Sequence, residues 1–139
     1  MSAPLYLLDT NICIYIRQNR PVVLKRFRLL TAGQAAVSVV TYGELAFGVE
    51  KSQRREDAAK SLRELLTLLP VLPLPEKAGL RYGALRATLE RQGSVISSND
   101  LWIAAHALAA GLILVTNNER EFRRVPGLQI ENWALLTAG

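Results

Sequence analysis

Cysteine and histidine each occur only once among the 139 residues of the sequence. The single cysteine, Cys13, excludes an intramolecular disulfide and leaves no CxxC pair for a zinc site or a thiol redox site. A chain without disulfides is typical of a reducing compartment.

Long hydrophobic runs are absent as well. The longest apolar stretch, residues 101–115, has 15 residues and is interrupted by His106 and Gly111, whereas a membrane-spanning helix needs about 20. The N-terminus, MSAPLYLLDT, has no basic segment ahead of its short apolar run, so it does not resemble a signal peptide. We expect a cytoplasmic protein with no membrane partner.

Acidic residues are outnumbered, with 12 Asp and Glu against 17 Lys and Arg and a net charge of +5. Thirteen of the cations are arginines, whose planar side chains bind phosphate oxygens bidentately. A basic domain attracts polyanions, and nucleic acid is a common one. A GC-rich genome would give the same arginine bias, so composition alone leaves both explanations open.

Size and composition predict a single folded domain, residues 1–139. Half of the residues are apolar and 21% are charged, which argues against disorder. A chain of this length buries roughly two-thirds of the surface that it exposes when unfolded. No internal repeat, low-complexity tract or linker divides it.

Short apolar runs alternate with helical patterns along the chain. Strands are predicted at 4–8, 35–40, 70–75, 112–115 and 128–130. Helices are predicted at 10–18, 21–33, 41–52, 53–69, 76–92 and 100–110, with a short piece that ends near 122. Apolar strands without alternation, separated by helices, indicate an α/β domain with a parallel sheet covered on both faces. The proline-rich strand at 70–75 is expected at an edge, because proline cannot donate to a ladder.

Three acidic residues lie near one edge of the predicted sheet. Asp9 follows the first strand, Glu44 lies in the first turn of the helix after the second strand, and Asp100 begins the apolar helix. Ligands of open α/β sheets bind beyond the carboxyl ends of the strands. A polar cluster also follows the strand at 112–115: Thr116, Asn117, Asn118, Glu119 and Glu121.

Each acidic residue also has a structural explanation. Asp9 could cap a helix, Thr41 and Glu44 match a capping box, and Asp100 complements a helix dipole. The segment from Asn118 to Glu121 also resembles a cap. Carboxylates beside strongly apolar sequence nevertheless need partners, and a metal ion is a natural one. A carboxylate pocket without histidine or cysteine favours Mg²⁺ or Mn²⁺ over zinc.

Four segments together form a recognisable pattern: LLDTNICIY (7–15), SVVTYGELAFGVEKS (38–52), SNDLWIAAHALAAG (98–111) and LVTNNEREFRRVPGLQIENW (114–133). They resemble the PIN-domain family, and within it the VapC-type toxin ribonucleases of bacterial toxin–antitoxin pairs. They occur in the family's order and spacing, and the resemblance covers essentially the whole chain. It implies a three-layer α/β/α sandwich with a central, mostly parallel sheet of four to five strands. It also implies a metal-dependent endoribonuclease that forms a homodimer and is inhibited by a VapB-type antitoxin.

The same resemblance implies that Mg²⁺ or Mn²⁺ is bound by Asp9 and Asp100, with Glu44 binding directly or through water. The ion would polarise the scissile phosphate and activate a water for in-line attack. The residues that would orient these ligands are Thr10, Asn11 and Thr116.

The sequence departs from the family after the fourth strand. The family often has an acid there, in a T-x-D pattern, whereas this chain has Asn118. Asparagine can orient a water but adds no charge, so a second ion would be bound less strongly. Glu121, or less readily Glu119, could supply the missing carboxylate, and the number of ions stays open.

The segments VTNN–REF and GLQIENW resemble the VapC subgroup that cuts initiator tRNA in the anticodon stem-loop. A basic rim around an acidic pocket suits RNA phosphates, and single-stranded loops expose their backbone. The candidate phosphate contacts are Arg17, Arg120, Arg123 and Arg124, each of which could instead be a solvated surface residue.

The remaining notable residues are expected to have structural roles. His106 lies among alanines and is predicted to be a core or interface residue rather than a base, and Cys13 is predicted to be buried. Tyr15, Trp102 and Trp133 are predicted to pack in the core or at a dimer contact. In the family, helices such as those at 54–69 and 76–92 form the antitoxin groove and part of the homodimer contact.

Other function classes remain as alternatives. A phosphotransfer enzyme with Asp9 as its nucleophile would be expected to have a second aspartate two residues on, where this chain has Asn11. A non-catalytic PIN-like module that binds RNA or a protein would be favoured by loss of a core acid, and all three acids are present. A DNA substrate is not excluded by the sequence.

Overall fold

The computed structural model describes residues 3–135. Residues 1–2 and 136–139, which belong to the predicted domain of residues 1–139, lie outside the described residues. The strands are β1 (Tyr6–Leu8), β2 (Ala35–Ser38), β3 (Val71–Leu72), β4 (Ile113–Val115) and β5 (Ile130–Glu131). The helices are α1 (Thr10–Arg17), α2 (Pro21–Arg28), α3 (Val39–Lys51), α4 (Arg55–Leu66), α5 (Lys77–Arg91), α6 (Ser98–Ala110) and α7 (Glu119–Phe122).

The five strands form one parallel sheet in the order β3-β2-β1-β4-β5. The central strand is β1, where Leu7 is in register with Ala36 on one side and with Leu114 on the other. The chain builds outwards from β1 to β3 and then crosses to β4, so strand order reverses between β1 and β4. This switch point is where open α/β sheets bind ligands. The predicted parallel sheet and the edge position of β3 are confirmed.

Helices cover both faces of the sheet. Neighbouring strand residues point to opposite faces, and Leu7 and Leu8 accordingly belong to two separate core clusters. One cluster packs β1 and β4 against α5 and α6, and the other packs the sheet against α1, α3 and α4. Burial on both faces explains why the strands have apolar runs without alternation. The three-layer α/β/α sandwich is confirmed.

Several predicted boundaries differ from the structure by two residues or more. The helix predicted to end at Gly33 ends at Arg28, because Leu29 and Leu30 donate to carbonyls three residues back and tighten the last turn. The strand predicted to reach Val40 ends at Ser38, because Ser38 caps a helix there. The last strand is Ile130–Glu131 rather than 128–130. Within residues 3–135, none of the helices has the length and hydropathy that a membrane span requires.

Candidate active site

Asp9 lies at the switch point, directly after β1, and only 5% of it is exposed. Its Oδ1 accepts a hydrogen bond from the Thr10 amide at 2.8 Å, so the predicted cap of α1 is present. Its Oδ2 accepts from the Thr116 hydroxyl, also at 2.8 Å, which ties it to the residue after β4. Burial raises the pKa of Asp9, although these two hydrogen bonds lower it. The side chain is therefore fixed in position and costly to ionise.

Glu44 lies in the second turn of α3, and its predicted place in the first turn is wrong. The helix begins at Val39 because Ser38 accepts from the Val40 amide at 3.1 Å. Thr41 is consequently inside the helix, and the predicted Thr41–Glu44 capping box is wrong. Glu44 Oε1 instead accepts from the Thr10 hydroxyl at 2.6 Å. This contact brings Glu44 to the beginning of α1, beside Asp9.

Asp100 lies in the first turn of α6, and its amide donates to the Ser97 hydroxyl at 3.3 Å. Its pKa is raised to about 7 by burial, by the negative charge of Asp9 and by a hydrogen bond with Glu121. A carboxyl hydrogen-bonded to another carboxylate must keep its proton. Burial and the neighbouring acidic residues therefore disfavour the ionised form of Asp100.

The polar segment after β4 divides into two parts. Asn118 Nδ2 donates to Glu121 Oε2 at 3.2 Å, and Glu121 also contacts Asp100. Glu119 points elsewhere, with one oxygen paired to Arg123 at 3.0 Å and the other accepting from Asn132 at 3.1 Å. The predicted cap between Asn118 and Glu121 is wrong, because the contact joins two side chains and Asn118 makes no side-chain cap on α7. Glu121, and not Glu119, lies with the other acidic residues.

Four carboxylates from four segments therefore lie near this edge, those of Asp9, Glu44, Asp100 and Glu121, and each affects or contacts a neighbour in the set. Residues 3–135 contain four ion pairs, and none of them involves these side chains. As they stand, no three acidic, histidine or cysteine side chains in that range are grouped closely enough to hold a metal ion. Their oxygens are nonetheless the ligands that Mg²⁺ and Mn²⁺ prefer. The chemistry of these donors suits a divalent cation, whose charge would offset the burial and the repulsion by Asp9 that raise the pKa of Asp100.

The candidate phosphate-binding arginines are not grouped around the carboxylates. Arg17 lies at the far end of α1, about 10 Å of helix from Thr10, and donates to Ser61 on α4. Arg123 is paired with Glu119, and Arg124 donates to the Val95 carbonyl. Arg120 is exposed and makes no ion pair within the described part of the chain.

Ser38 is a residue that the sequence analysis missed. Its hydroxyl lies 2.9 Å from His106 Nδ1, and both side chains are buried. Because Ser38 caps α3 and His106 lies in α6, the pair joins the helix of Glu44 to the helix of Asp100. Burial lowers the pKa of His106, so a neutral imidazole suits its position. The predictions of a core histidine and of a buried Cys13 are confirmed.

Replacing Ser38 with alanine should lower the free energy of unfolding by about 2–4 kcal/mol, since it removes a helix cap and leaves a buried imidazole nitrogen unpaired. Urea unfolding would measure the change. The control is Ser94→Ala in the loop between α5 and α6, which should cost less than about 0.5 kcal/mol. A Ser38→Ala protein as stable as the wild type would show that the buried pair contributes nothing to the fold.

The parallel α/β sandwich with acidic residues at its switch point is the arrangement of a PIN domain. The PIN domain family model matches residues 6–128. The chain is 45% identical over 129 residues to Ribonuclease VapC2 of Haemophilus influenzae (strain Rd), covering 92% of this chain and 97% of that protein. It is 41% identical over 129 residues to the tRNA(fMet)-specific endonuclease VapC of Shigella flexneri, covering 93% and 98%. The chain therefore belongs to the VapC ribonucleases of the PIN-domain family, as its motifs indicated.

Solved structures agree with this assignment. The fold matches that of DNA-bound VapBC from Salmonella typhimurium with a TM-score of 0.89 at 39% identity, over 94% of this chain and 99% of that chain. It also matches VapBC2 from Rickettsia felis, bound to a DNA fragment from its promoter, with a TM-score of 0.88 at 39% identity. That match covers 93% of this chain and 98% of the other.

Proposed function

We propose that this protein is the toxin of a toxin–antitoxin pair, a metal-dependent endoribonuclease that hydrolyses RNA phosphodiester bonds at the four-carboxylate site. The proposal rests on the convergence of Asp9, Glu44, Asp100 and Glu121 without a basic partner among residues 3–135. Relatives named as ribonucleases support it. We expect the enzyme to act in the cytoplasm.

Asp9 and Asp100 would bind Mg²⁺ or Mn²⁺, with Glu44 binding directly or through water. When bound, the ion would polarise the phosphate and lower the pKa of an attacking water. The chain's own contribution is to hold the ligands: Thr10 orients Glu44, and Thr116 orients Asp9. Asp100 must release its proton to become a ligand, so metal binding is expected to strengthen as the pH rises.

Glu121 is our candidate for the fourth carboxylate of the site. It contacts Asp100, and Asn118 donates to its Oε2. In this arrangement Asn118, which occupies the position of the family's acid, would orient a carboxylate that comes from one helical turn further on. Asn11, exposed in the first turn of α1, remains a candidate for orienting a water.

The proposed substrate is the anticodon stem-loop of initiator tRNA. Relatives of this chain are named tRNA(fMet)-specific endonucleases. Arg120, exposed on α7 next to Glu121, is the best-placed candidate for a phosphate contact among the four predicted arginines. Arg17, Arg123 and Arg124 would first have to release the partners that they bind.

Two apolar surfaces suit the protein partners that the family implies. Val39, Tyr42 and Phe47 are exposed on α3, and we propose them as part of a homodimer contact; Leu80 is exposed separately, on α5. The other apolar surface is a groove between α1, α2 and the end of α4, which is lined by Ile16, Leu24, Phe27 and Leu68. Its apolar lining suits the helix of a cognate VapB-type antitoxin, and the solved relatives are VapBC complexes.

Incubation of the purified protein with total bacterial RNA tests the proposed reaction. With Mg²⁺ or Mn²⁺ we expect one or a few discrete fragments derived from tRNA, because the carboxylates need a cation to bring a phosphate into the site. With EDTA no fragments should form, and added Mn²⁺ should restore them. Gel electrophoresis and sequencing of the fragment ends give the measurement.

The opposite outcomes are equally informative. A folded protein, free of antitoxin, that cleaves no RNA with either metal would support the non-catalytic binding module instead. Cleavage that persists in EDTA would show that the reaction does not need a divalent cation. A single-stranded DNA with the sequence of the cleaved RNA is the matched control, and equal cleavage of RNA and DNA would contradict an endonuclease specific for RNA.

A further inference from the structure

Asparagine is concentrated at the edge of the sheet where the carboxylates meet. Five of the six asparagines lie there, in the first turns of α1 and α6 or directly after β4 and β5: Asn11, Asn99, Asn117, Asn118 and Asn132. Amides can both donate and accept hydrogen bonds without adding charge. Such side chains can contact RNA without neutralising the neighbouring carboxylates.

Asn117 and Asn132 form a connected pair at this edge. Asn117 Oδ1 accepts from Asn132 Nδ2 at 3.2 Å, and Asn117 Nδ2 donates to the Tyr15 hydroxyl at 3.1 Å. Asn132 also donates to Glu119 at 3.1 Å and accepts from the Ala134 amide at 2.9 Å. These contacts fix the planes of both amides before any ligand arrives, which lowers the entropic cost of binding.

A flat stacking surface adjoins the amide pair. The guanidinium carbon of Arg20 lies 4.0 Å from the centre of the Tyr15 ring, and Arg20 is exposed. Gln18 Oε1 accepts from Arg20 Nε at 3.0 Å and steadies the guanidinium. The Tyr15 ring packs against the core, as predicted, while its hydroxyl reaches Asn117. Unstacked bases of RNA bind to such planes of aromatic rings and guanidinium groups.

The amide and the phenol retain hydrogen-bonding capacity. Asn117 is exposed and uses one of its two N–H groups and one of its two carbonyl lone pairs. Tyr15 accepts from Asn117, so its own O–H is available as a donor. Asn117 therefore keeps one N–H donor and one carbonyl lone pair with which it can contact the edge of a nucleobase.

The location of these side chains connects them to the proposed reaction. Asn117 directly follows Thr116, whose hydroxyl binds Asp9. We propose that Tyr15, Arg20, Asn117 and Asn132 form a nucleobase subsite, which holds an unpaired base of the RNA strand beside the scissile phosphate and so selects the cleavage position. This inference rests on the proposed ribonuclease function and adds the basis of its specificity.

RNA binding measured in EDTA tests the subsite without requiring cleavage. The probes are four fluorescent single-stranded RNAs that differ only in one base. That base lies beside the cleavage site mapped for the wild type. If the wild type does not cleave, the probes are built on the initiator-tRNA anticodon loop and vary one of its unpaired bases. The wild type should prefer one base by about ten-fold, within the range of a bidentate amide–base contact. Asn117→Ala should bind all four within about three-fold of one another. Tyr15→Phe, which keeps the ring under Arg20, should lose less of the preference.

The matched control is Gln53→Ala, which removes an exposed amide beyond the far end of α3, about 20 Å of helix away from Ser38. It should keep the wild-type preference. A wild type that binds all four RNAs equally or not at all, or an Asn117→Ala protein with an unchanged preference, would overturn the subsite. The experiment distinguishes failure of the subsite from failure of the proposed function. Cleavage without base preference would rule out only the subsite, whereas base-selective binding without cleavage would rule out only the ribonuclease activity.

Discussion

Replacement of Asp9 by asparagine should lower the rate of RNA cleavage by about a thousand-fold, equivalent to about 4 kcal/mol of transition-state stabilisation. The substitution removes the charge and little else. Asparagine can still accept from the Thr10 amide, and the Thr116 hydroxyl can turn to accept from the new amide group. Since burial raises the pKa of Asp9, a neutral side chain there should not destabilise the fold.

Single-turnover cleavage in Mn²⁺, together with thermal unfolding, would separate the loss of chemistry from a loss of structure. The matched control is Asp57→Asn, which removes a charge from the exposed first turn of α4 and should leave cleavage unchanged. Near-normal, metal-dependent activity of the Asp9→Asn protein would mean that the reaction takes place elsewhere on the molecule.

The position of Asp9 is the part of the site that sequence predicts best. An unbroken apolar run, Leu7–Leu8, ends at a residue that is also a good helix cap. Both features are local, so the strand, the turn and the carboxylate at the sheet edge follow from a few neighbouring residues. The cap and the proposed ligand are the same side chain, which shows that the structural and functional explanations of Asp9 do not compete.

For Glu44 the sequence predicts the correct edge of the sheet but the wrong turn of the helix. Val39 and Val40 are β-branched and favour a strand, which conceals the helix start at Ser38. The cap forms because Ser38 is also held by His106 from α6. That partner is 68 residues away in the sequence, so no local pattern indicates the boundary.

The choice among Asn118, Glu119 and Glu121 could not be made from sequence either. The helix α7 is a single turn, so its periodicity defines no face. Tertiary contacts decide instead, because Arg123 and Asn132 hold Glu119 away from the other carboxylates. Tertiary contacts also decide the position of Arg17. It comes soon after a predicted site motif in the sequence and yet contacts Ser61 on α4.

Replacement of Asp100 by asparagine is expected to abolish cleavage and, at the same time, to increase the stability of the metal-free protein. The pKa of its carboxyl is raised from 3.8 to about 7, so the folded state binds this proton more tightly than the unfolded state does. Between those two pH values the unfolded chain has already lost the proton, and stability falls as the pH rises. Above pH 7 the full cost of the buried charge remains. Asp100→Asn removes that cost and keeps the amide contact to Ser97.

Thermal unfolding of the metal-free proteins at two pH values would test this expectation. Near pH 4 the two melting temperatures should be similar, because Asp100 is protonated in the folded wild type. At pH 8 the Asp100→Asn protein should melt at least about 2 °C higher, as a change of order 1 kcal/mol gives for a domain of this size. Added Mn²⁺ should reverse the order, because an ion bound only to the folded wild type stabilises it by mass action. A variant that melts lower than the wild type at pH 8 in EDTA would show that the ionised Asp100 carboxylate does not destabilise the fold, and an unchanged order with Mn²⁺ would exclude Asp100 as a ligand.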